Sequence, residues 1–508
     1  MNITINRKGN HSIAEQIAES IQNAIDTHWY KVGDKLPSIR QLSKNLSVSP
    51  MTVVHAYEQL ERINYVEKIH GKGIYVAERH HYANENTYGD LEKVSAMAQT
   101  ANKPVDHLSW QDDVRDYVVR SRYAHRTVQF GQQVVNMSTA ALHSRFLPTA
   151  SVIELFRENQ ESMTNEFGRY PPVEGHGGFR REIHQFFSEK GLECSEEQIL
   201  ITSGSQSGIH LVAETFIGQG DVVIVGAPTF PGAIDVFKGR GAIVIEVPVD
   251  EEGMNMDNLM AVCEQYPVKL VYVMATFQNP TGVCLSMDRC LELLELANEY
   301  NFMILEDDSW SELYFDGVMR PLKTFDTKGR VLYLGGFSKT FGPSFRLSGM
   351  IVEGSLYTRL IAAKSNIDSG APLMNQLMLS PYMNSIERKQ HHTWLCHELK
   401  GLRNRVVNKL NDCMPSYVQY RVPSGGLVFW LTLPMRFDGK LLYHRCLSEK
   451  GISLLLGENC YSSIRGENRI RICYTYEEET VIMKSIEGVA DLIQEIQEKR
   501  TVLSNPMF

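Results

Sequence analysis

Lys339 stands in a glycine-flanked loop, GGFSKTFGP at 335–343, directly after the apolar run VLYLG. In open α/β sheets, ligand groups lie in the loops at strand ends. A loop lysine by itself is an ordinary solvated charge, so its meaning depends on its companions. Ser203-Gly204-Ser205-Gln206-Ser207-Gly208 follows the apolar run ILIT and offers hydroxyls and the N–H groups of a helix start, which together can bind phosphate. Asp307 and Asp308 close the run FMILEDD and, taken alone, read as a metal pair or a solvated turn. Asn279-Pro280-Thr281-Gly282 is a turn that presents an amide, and Arg469 and Arg471 alternate in RIRICY. His391, His392 and His397 have the spacing of a helix surface, with no carboxylate or cysteine cluster at ligand spacing, so no metal site is expected.

The intervening chain must bring these segments together. Beyond Phe130, the apolar runs ILITSG, DVVIVGAP, AIVIEVPV, KLVYVMAT, FMILED and VLYLGGFS alternate with amphipathic helical stretches. Strands separated in this way imply an α/β fold with a mostly parallel sheet covered on both faces.

Residues 1–77 follow a different pattern. Ile13, Ile17, Ile21 and Ile25 fall four apart and make an apolar helical stripe. A second helix begins near Ser38, with Ile39, Leu42 and Leu46 on its apolar face. After the turn at Ser47-Val48, Ser49 offers an N-cap oxygen, Pro50 takes the first helical position, and Val53, Tyr57 and Leu60 continue the period. YVEKIHGKGIYV at 65–76 reads as two short strands joined at His70-Gly71-Lys72-Gly73. Helix, helix-turn-helix and hairpin in that order describe a winged helix-turn-helix. Residues 78–130 read as a polar linker in which DHLSWQDDVRDYVVRSRY can form a helix.

With 508 residues, 43% hydrophobic and 22% charged, the chain holds about three domains' worth of sequence and can bury substantial cores. No apolar run reaches the length of a membrane span, and the opening residues lack the apolar core of a secretory signal. The nine cysteines are scattered without a Cys-x-x-Cys pair, which argues against a disulfide framework or zinc ribbon. The expectation is a cytoplasmic protein that meets no membrane. Net charge is −9, yet residues 1–77 carry nine Lys/Arg against seven Asp/Glu, leaving −11 for the rest. A mildly basic head on an acidic body is the distribution expected where only the head meets a polyanion.

The head resembles the DNA-binding domain of GntR-family regulators, without a gap through DKLPSIRQLSKNLSVSPMTVVHAYEQLERINYVEKIHGKGIYV. That resemblance implies a recognition helix in the major groove of operator DNA and a wing on the backbone or adjacent minor groove. By position, Ser49, Met51 and Thr52 open the recognition helix, Arg40 contacts phosphate and Lys72 lies at the wing tip. Pro50 departs from the pattern, because the family often places there an arginine able to read guanine or grip phosphate.

The body, residues 131–508, resembles fold-type I pyridoxal-phosphate enzymes of the aminotransferase class through TSGSQSG, QNPTG, EDD, SKTFGPSFRLSG and RIRICY in that order. The resemblance implies a large domain with a mostly parallel sheet, a small C-terminal subdomain and pyridoxal 5'-phosphate as cofactor. By position, Lys339 is the Schiff-base lysine. Asp307, with Asp308 as the alternative, holds the pyridine nitrogen, and Asn279 donates to the phenolic oxygen. Ser205, Gln206, Ser338 and Arg346 hold the phosphate, while Phe230 stacks on the ring. Tyr170, in a motif ending at Arg180, reaches the phosphate of a neighbouring subunit and so implies a dimer. Arg471, in preference to Arg469, grips a substrate α-carboxylate. The class usually has a tyrosine two or three residues after the pyridine aspartate, where Ser309 and Trp310 stand instead. Losing that phenol impairs turnover without abolishing binding, which favours a sensor over an enzyme.

Head and body together resemble the MocR-type regulators. The resemblance implies a head-to-tail homodimer that binds operator DNA and senses either the cofactor or an amino compound, the latter displacing Lys339 to form an external aldimine. The alternative is an active aminotransferase whose head targets or autoregulates it.

Overall fold

The structure, a computed structural model, describes residues 13–26, 30, 33–46, 48–62, 65–69, 73–76, 134–166, 168–317, 320–463, 466 and 468–504. The expected linker helix and the wing tip His70-Gly71-Lys72 lie outside the described residues. The chain divides into two units, Met1–Gln111 and Asp112–Phe508.

In the first unit, α1 (Ile13–Asp26), α2 (Ile39–Leu46) and α3 (Pro50–Arg62) precede β1 (Val66–Ile69) and β2 (Gly73–Val76). Of the stripe on α1, Ile17 and Ile21 are enclosed alongside Val53, Ala56, Tyr57 and Leu60 of α3, and the partly buried Ile13 packs against them. Ser38 caps α2 by accepting from the Gln41 N–H at 3.2 Å, and Ser49 caps α3 by accepting from the Met51 N–H at 3.2 Å. The Tyr57 hydroxyl donates to the Pro37 carbonyl at 2.7 Å and ties α3 to the turn before α2. β1 and β2 pair antiparallel, and the Leu36 N–H donates to Ile74 at 2.9 Å, so the chain before α2 joins the wing.

The second unit is built on an eight-stranded sheet. Its strands are β4 (Ile199–Thr202), β5 (Val222–Ala227), β6 (Ile243–Asp250), β7 (Gly253–Met254), β8 (Val268–Val273), β9 (Met303–Asp308), β10 (Val331–Gly336) and β11 (Ser348–Ile351). They lie in the order β4-β11-β10-β9-β8-β5-β6-β7, parallel except at β11 and β7. All six apolar runs read from the sequence are strands of this sheet. Alternation along them feeds two layers, as a sheet buried on both faces requires. Val223, Val225, Leu270, Tyr272 and Leu305 pack on the helices Ser205–Phe216 and Pro231–Gly239, while Val222, Ile224, Val271 and Ile304 pack on Met256–Gln265 and Met287–Glu299.

A smaller antiparallel sheet follows, β12 (Gln419–Tyr420), β13 (Val428–Thr432), β16 (Arg469–Cys473) and β15 (Leu455–Leu456), in that spatial order. The helices Ile386–Cys413 and Glu479–Ser504 cover it with one continuous core. β3 (Val135–Asn136) pairs in parallel with β14 (Ile452–Ser453), which ties the start of this unit to the small subdomain. Among the described residues no helix is long and apolar enough to cross a membrane.

The helix Ser205–Phe216 approaches the sheet closely because residue 208 is glycine. A Cβ there would lie 2.7 Å from Leu334 Cδ1 and 3.3 Å from Thr202 Oγ1, both on buried residues. Alanine favours a helix by about 1 kcal/mol over glycine, whereas overpacking a tight core costs about 1–3 kcal/mol. Gly208→Ala is therefore expected to lower the thermal unfolding midpoint by a few degrees; an unchanged or higher midpoint would show that the helix has room to move.

Candidate functional site

Because β4, β5, β8, β9 and β10 run parallel, the segments that follow them collect along one edge of the sheet. Ser203-Gly204-Ser205 follows β4, Phe230 follows β5, Asn279 follows β8, Asp307 ends β9, and Lys339 lies in the turn after β10. The amine of Lys339 donates to the Ala140 carbonyl at 2.5 Å. Burial, with the neighbouring charge of Arg471, lowers this amine to about 8, against opposing attraction from Cys473 and Asp307.

Alternation along β9 separates the two aspartates, of which the resemblance puts Asp307 first and Asp308 second. Asp307 accepts from the Tyr272 hydroxyl at 2.8 Å and the Ser309 hydroxyl at 2.5 Å, and burial pushes its carboxyl up to about 6 despite those bonds. Asp308 instead accepts from Lys190 at 2.6 Å, Ser311 at 2.7 Å and Tyr333 at 2.5 Å. Burial opposes its ionisation, but Lys190 and the two hydroxyls outweigh burial and hold the carboxyl below its usual range. Asp307 thus has electrostatic contact with Lys339, while Asp308 belongs to a closed structural ion pair.

The residues expected to hold a phosphate lie around one helix start and the turn that carries Lys339. Gly204, at φ 89°, starts the helix Ser205–Phe216, whose first N–H groups at Ser205 and Gln206 have no carbonyl of their own helix to reach. The Ser205 hydroxyl lies 3.1 Å from that of Ser309, whose own proton goes to Asp307, and Gln206 Nε2 donates to the Gly232 carbonyl at 3.0 Å. Arg346, left-handed at φ 48° and exposed, donates to the Ser203 carbonyl at 3.4 Å. Ser338 is half-buried next to Lys339, and Phe230 is half-buried at the start of Pro231–Gly239.

On the far wall, Arg471 is 1% exposed on β16. It donates to Asn279 Oδ1 at 2.6 Å and also to the Ser138 carbonyl. Arg469 is half-buried on the same strand. Ser138 and Ala140 belong to the segment after β3, which crosses the cleft and meets both Arg471 and Lys339. Sequence reading missed that segment, and also Tyr272 and Lys190. Tyr272 had a signal, since a tyrosine among the apolar residues of the strand VKLVYV needs a partner for its hydroxyl. Lys190 had none, because it meets Asp308 across 118 residues of chain.

Trp310 is buried among Phe277, Leu313 and Phe315, with Gly426 against its ring, so most of the ring fills core where the class usually has a phenol. Tyr170 is 94% exposed, and Arg180 donates to the Glu196 carbonyl at 3.0 Å. His391 and His392 are half-buried rather than on the expected helix surface. Their rings meet the carbonyls of Phe146 at 3.0 Å and Glu312 at 2.8 Å, whereas His397 is exposed. In the head, Ser49, Pro50 and Met51 are exposed at the start of α3, with Met51 57% exposed, and Thr52 is half-buried. Arg40 lies on α2, and its side chain, like Lys72, is outside the described residues.

Residues 133–484 match the family model "Aminotransferase class I and II", and residues 13–76 match "Bacterial regulatory proteins, gntR family". The aromatic-amino-acid aminotransferase 1 of Thermococcus litoralis is 32% identical over 69% of this chain and 86% of its own length. An uncharacterized HTH-type transcriptional regulator of Bacillus subtilis, YdfD, is 27% identical over 95% of this chain and 96% of its own. The crystal structure of Pyrococcus horikoshii kynurenine aminotransferase in complex with PMP superposes with a TM-score of 0.69 at 28% identity, covering 80% of this chain and 98% of that one. The chain belongs to the class I and II aminotransferase family and, with its GntR-type head, has the composition of a MocR-type fusion.

The family implies pyridoxal 5'-phosphate, and the donor set fits it. A helix start and Arg346 suit a phosphate dianion, buried Asp307 suits a pyridinium, and a partly neutral lysine amine suits an aldehyde. Gly336 leaves room between the Ser205 and Ser309 hydroxyls, where a Cβ would come within 2.6 and 2.9 Å of their oxygens.

Lys190→Met would leave the Asp308 carboxylate buried without its cation, at a cost of about 3–5 kcal/mol near neutral pH. The native pair stabilises above the carboxyl's unfolded pKa and is lost as pH falls through its lowered folded value. In the variant the carboxyl rises, so the penalty grows with pH. Melting temperatures across mildly acidic to alkaline pH should show that divergence, with Lys190→Met/Asp308→Asn largely restored; a single variant that melts like the parent at alkaline pH would contradict a structural pair.

Proposed function

We propose that the protein is a transcription regulator that binds operator DNA through its head and senses pyridoxal 5'-phosphate, or an amino compound captured with it, in the cleft of its body. The observation that carries this reading is a winged helix-turn-helix joined to a cleft that keeps Lys339, Asp307, Asn279 and Arg471 while burying a tryptophan where the class usually has its phenol. Similarity to an HTH-type transcriptional regulator along 95% of the chain supports it.

When bound, the cofactor supplies an aldehyde that captures primary amines and a ring that withdraws electrons. Lys339 would carry the covalent link, and Asp307, oriented by Tyr272 and Ser309, would keep a proton on the pyridine nitrogen. Asn279 would face the phenolic oxygen and Phe230 the ring. Ser205, Gln206, Ser338 and Arg346 would hold the phosphate. Arg471 would pair with the carboxylate of an amino compound, and the segment carrying Ser138 and Ala140 would help keep water out. For binding to change DNA occupancy, the effector must favour one of two conformations by its differential affinity.

Domain limits of 1–77, 78–130 and 131–508 are part of this reading. So is a head-to-tail homodimer, with the exposed Tyr170 serving the partner's phosphate. Ser49, Met51 and Thr52 would meet bases and Arg40 and Lys72 the backbone, at a recognition helix that lacks an arginine at Pro50. The intact lysine, aspartate and arginine also favour a second reading, a working aminotransferase with a targeting or autoregulatory head.

Two measurements separate these readings. Absorbance of the protein loaded with pyridoxal 5'-phosphate and titrated with amino acids should shift to a stable new band. Progress to pyridoxamine phosphate with release of an oxo acid would favour the enzyme. Retention on DNA should be sequence-specific and fall with salt; DNA binding without sequence preference would remove the regulator reading.

Lys339→Ala is expected to abolish the visible band of covalently held cofactor while leaving α1–α3 folded by circular dichroism; persistence of a covalent chromophore would sink the assignment. The neutral amine is the nucleophile, so cofactor capture should accelerate about tenfold per pH unit up to about 8 and level off above. Removing the nearby positive charge in Arg471→Met should move that midpoint upward; a downward move would contradict the proximity of the two groups.

A further inference from the structure

β13, β15 and β16 place three side chains in one row. Trp430 is directly opposite Arg471 in the antiparallel pair β13–β16, and Leu455 is opposite Arg471 on the other side. Directly opposed residues share a sheet face with Cβ atoms about 4.5–5.5 Å apart. By alternation along β16, Cys473 lies on that same face, and Cys473 has electrostatic contact with the Lys339 amine. Arg471 on this face reaches Asn279 of the large domain, while Ile470 and Ile472 on the other face join the core of the small subdomain, as Cys473 also does at the end of the strand.

Trp430 is 8% exposed and packs with Leu455, Cys460, Tyr461 and Ala227. Ala227 ends β5 and leads into the turn that carries Phe230, and the Thr229 N–H in that turn donates to the Cys460 carbonyl at 2.8 Å. The indole therefore stands where the small sheet meets the large one, beside Arg471. Its N–H is buried and has no hydrogen-bond acceptor among the described residues. A buried donor left unsatisfied costs about 1–3 kcal/mol, and such groups ordinarily find a partner in a ligand or an ordered water.

We propose that Trp430 is an effector-binding residue: its indole N–H and the Arg471 guanidinium jointly hold the carboxylate of an amino acid in the cleft. This deepens the reading of the cleft as a site for amino compounds and rests on it. Two donors of different geometry, one charged and one neutral, would select a carboxylate over its absence. A matching amine without the carboxyl group can still meet Lys339's cofactor site, but it leaves the indole donor unpaired. A site that leaves buried polar groups unpaired with the wrong ligand discriminates strongly.

The test compares the parent protein and Trp430→Phe, both loaded with pyridoxal 5'-phosphate. Each is titrated with L-amino acids and with the amines that decarboxylation of the same amino acids would yield, and the cofactor absorbance band is followed. Trp430→Phe should weaken the amino acids roughly tenfold and leave the amines within about twofold. Equal affinity for the amino acids in both proteins, or equal loss for amino acids and amines, would overturn the role of Trp430 while leaving the cleft reading intact. No band shift with any amino acid in the parent protein would overturn both.

A second readout uses the parent chain, so that it stands even where the variant does not fold. With ¹⁵N-labelled tryptophan, one of five indole N–H signals should move downfield on saturation with a responding amino acid and stay in place with its amine. Replacing the other four tryptophans one at a time with phenylalanine should leave that signal present each time. Loss of the moving signal in one of those four variants would assign it elsewhere and overturn the proposal.

Discussion

Two adjacent carboxylates buried at the end of a central strand set the conditions for the rest of the cleft. Asp307 and Asp308 cannot both be left to themselves in a site of low polarity, since each resists ionisation and each raises the charge burden of the other. The pleat of β9 sends them to opposite faces. Lys190, Ser311 and Tyr333 neutralise Asp308 on one side, which frees Asp307 to be oriented by Tyr272 and Ser309 on the other. The parallel neighbours β8 and β10 then bring Asn279 and Lys339 to the same edge, because parallel strands end together.

The second wall comes from a different sheet. Arg471 is buried on β16, reaching Asn279 of the large domain and Ser138 of the segment after β3. A guanidinium held this way links three parts of the chain, and its charge helps lower the Lys339 amine. The cleft is thus an electrostatic unit, in which the arginine and the aspartate act on the lysine and the lysine acts on the aspartate. It depends on the small subdomain keeping its register against the large one, which the Thr229–Cys460 bond and the packing of Trp430 on Ala227 support.

The departures from the family pattern have a physical reading. Trp310 is large and apolar, and it goes into the core with Phe277 and Phe315. Ser309 takes its place at the cleft, but its hydroxyl is engaged with Asp307 and Ser205. In the head, Pro50 fits the first turn of α3, where a missing N–H does no harm, and leaves exposed Met51 beside it. Both changes keep the local structure sound and alter the chemistry presented to a ligand.

Period and composition alone were enough to determine the winged helix-turn-helix and the six strands of the large sheet, because burial of apolar faces is written at intervals of four and of two. The turns around Ser205, Asn279 and Lys339 were legible as turns from their glycine, proline and serine, but the roles expected of them came only from the resemblance of the ordered motifs to the aminotransferase class. Distant pairing was not legible. Which of Asp307 and Asp308 faces the cleft follows from strand orientation and from Lys190, a residue 118 positions away. The roles of Ser138 and Ala140 come through backbone carbonyls, which every residue type carries, so no side-chain motif marks them. The sequence determined which elements form and which residues could act; only the tertiary structure decided which of those residues meet, because contacts across sheets depend on register and packing rather than on local pattern.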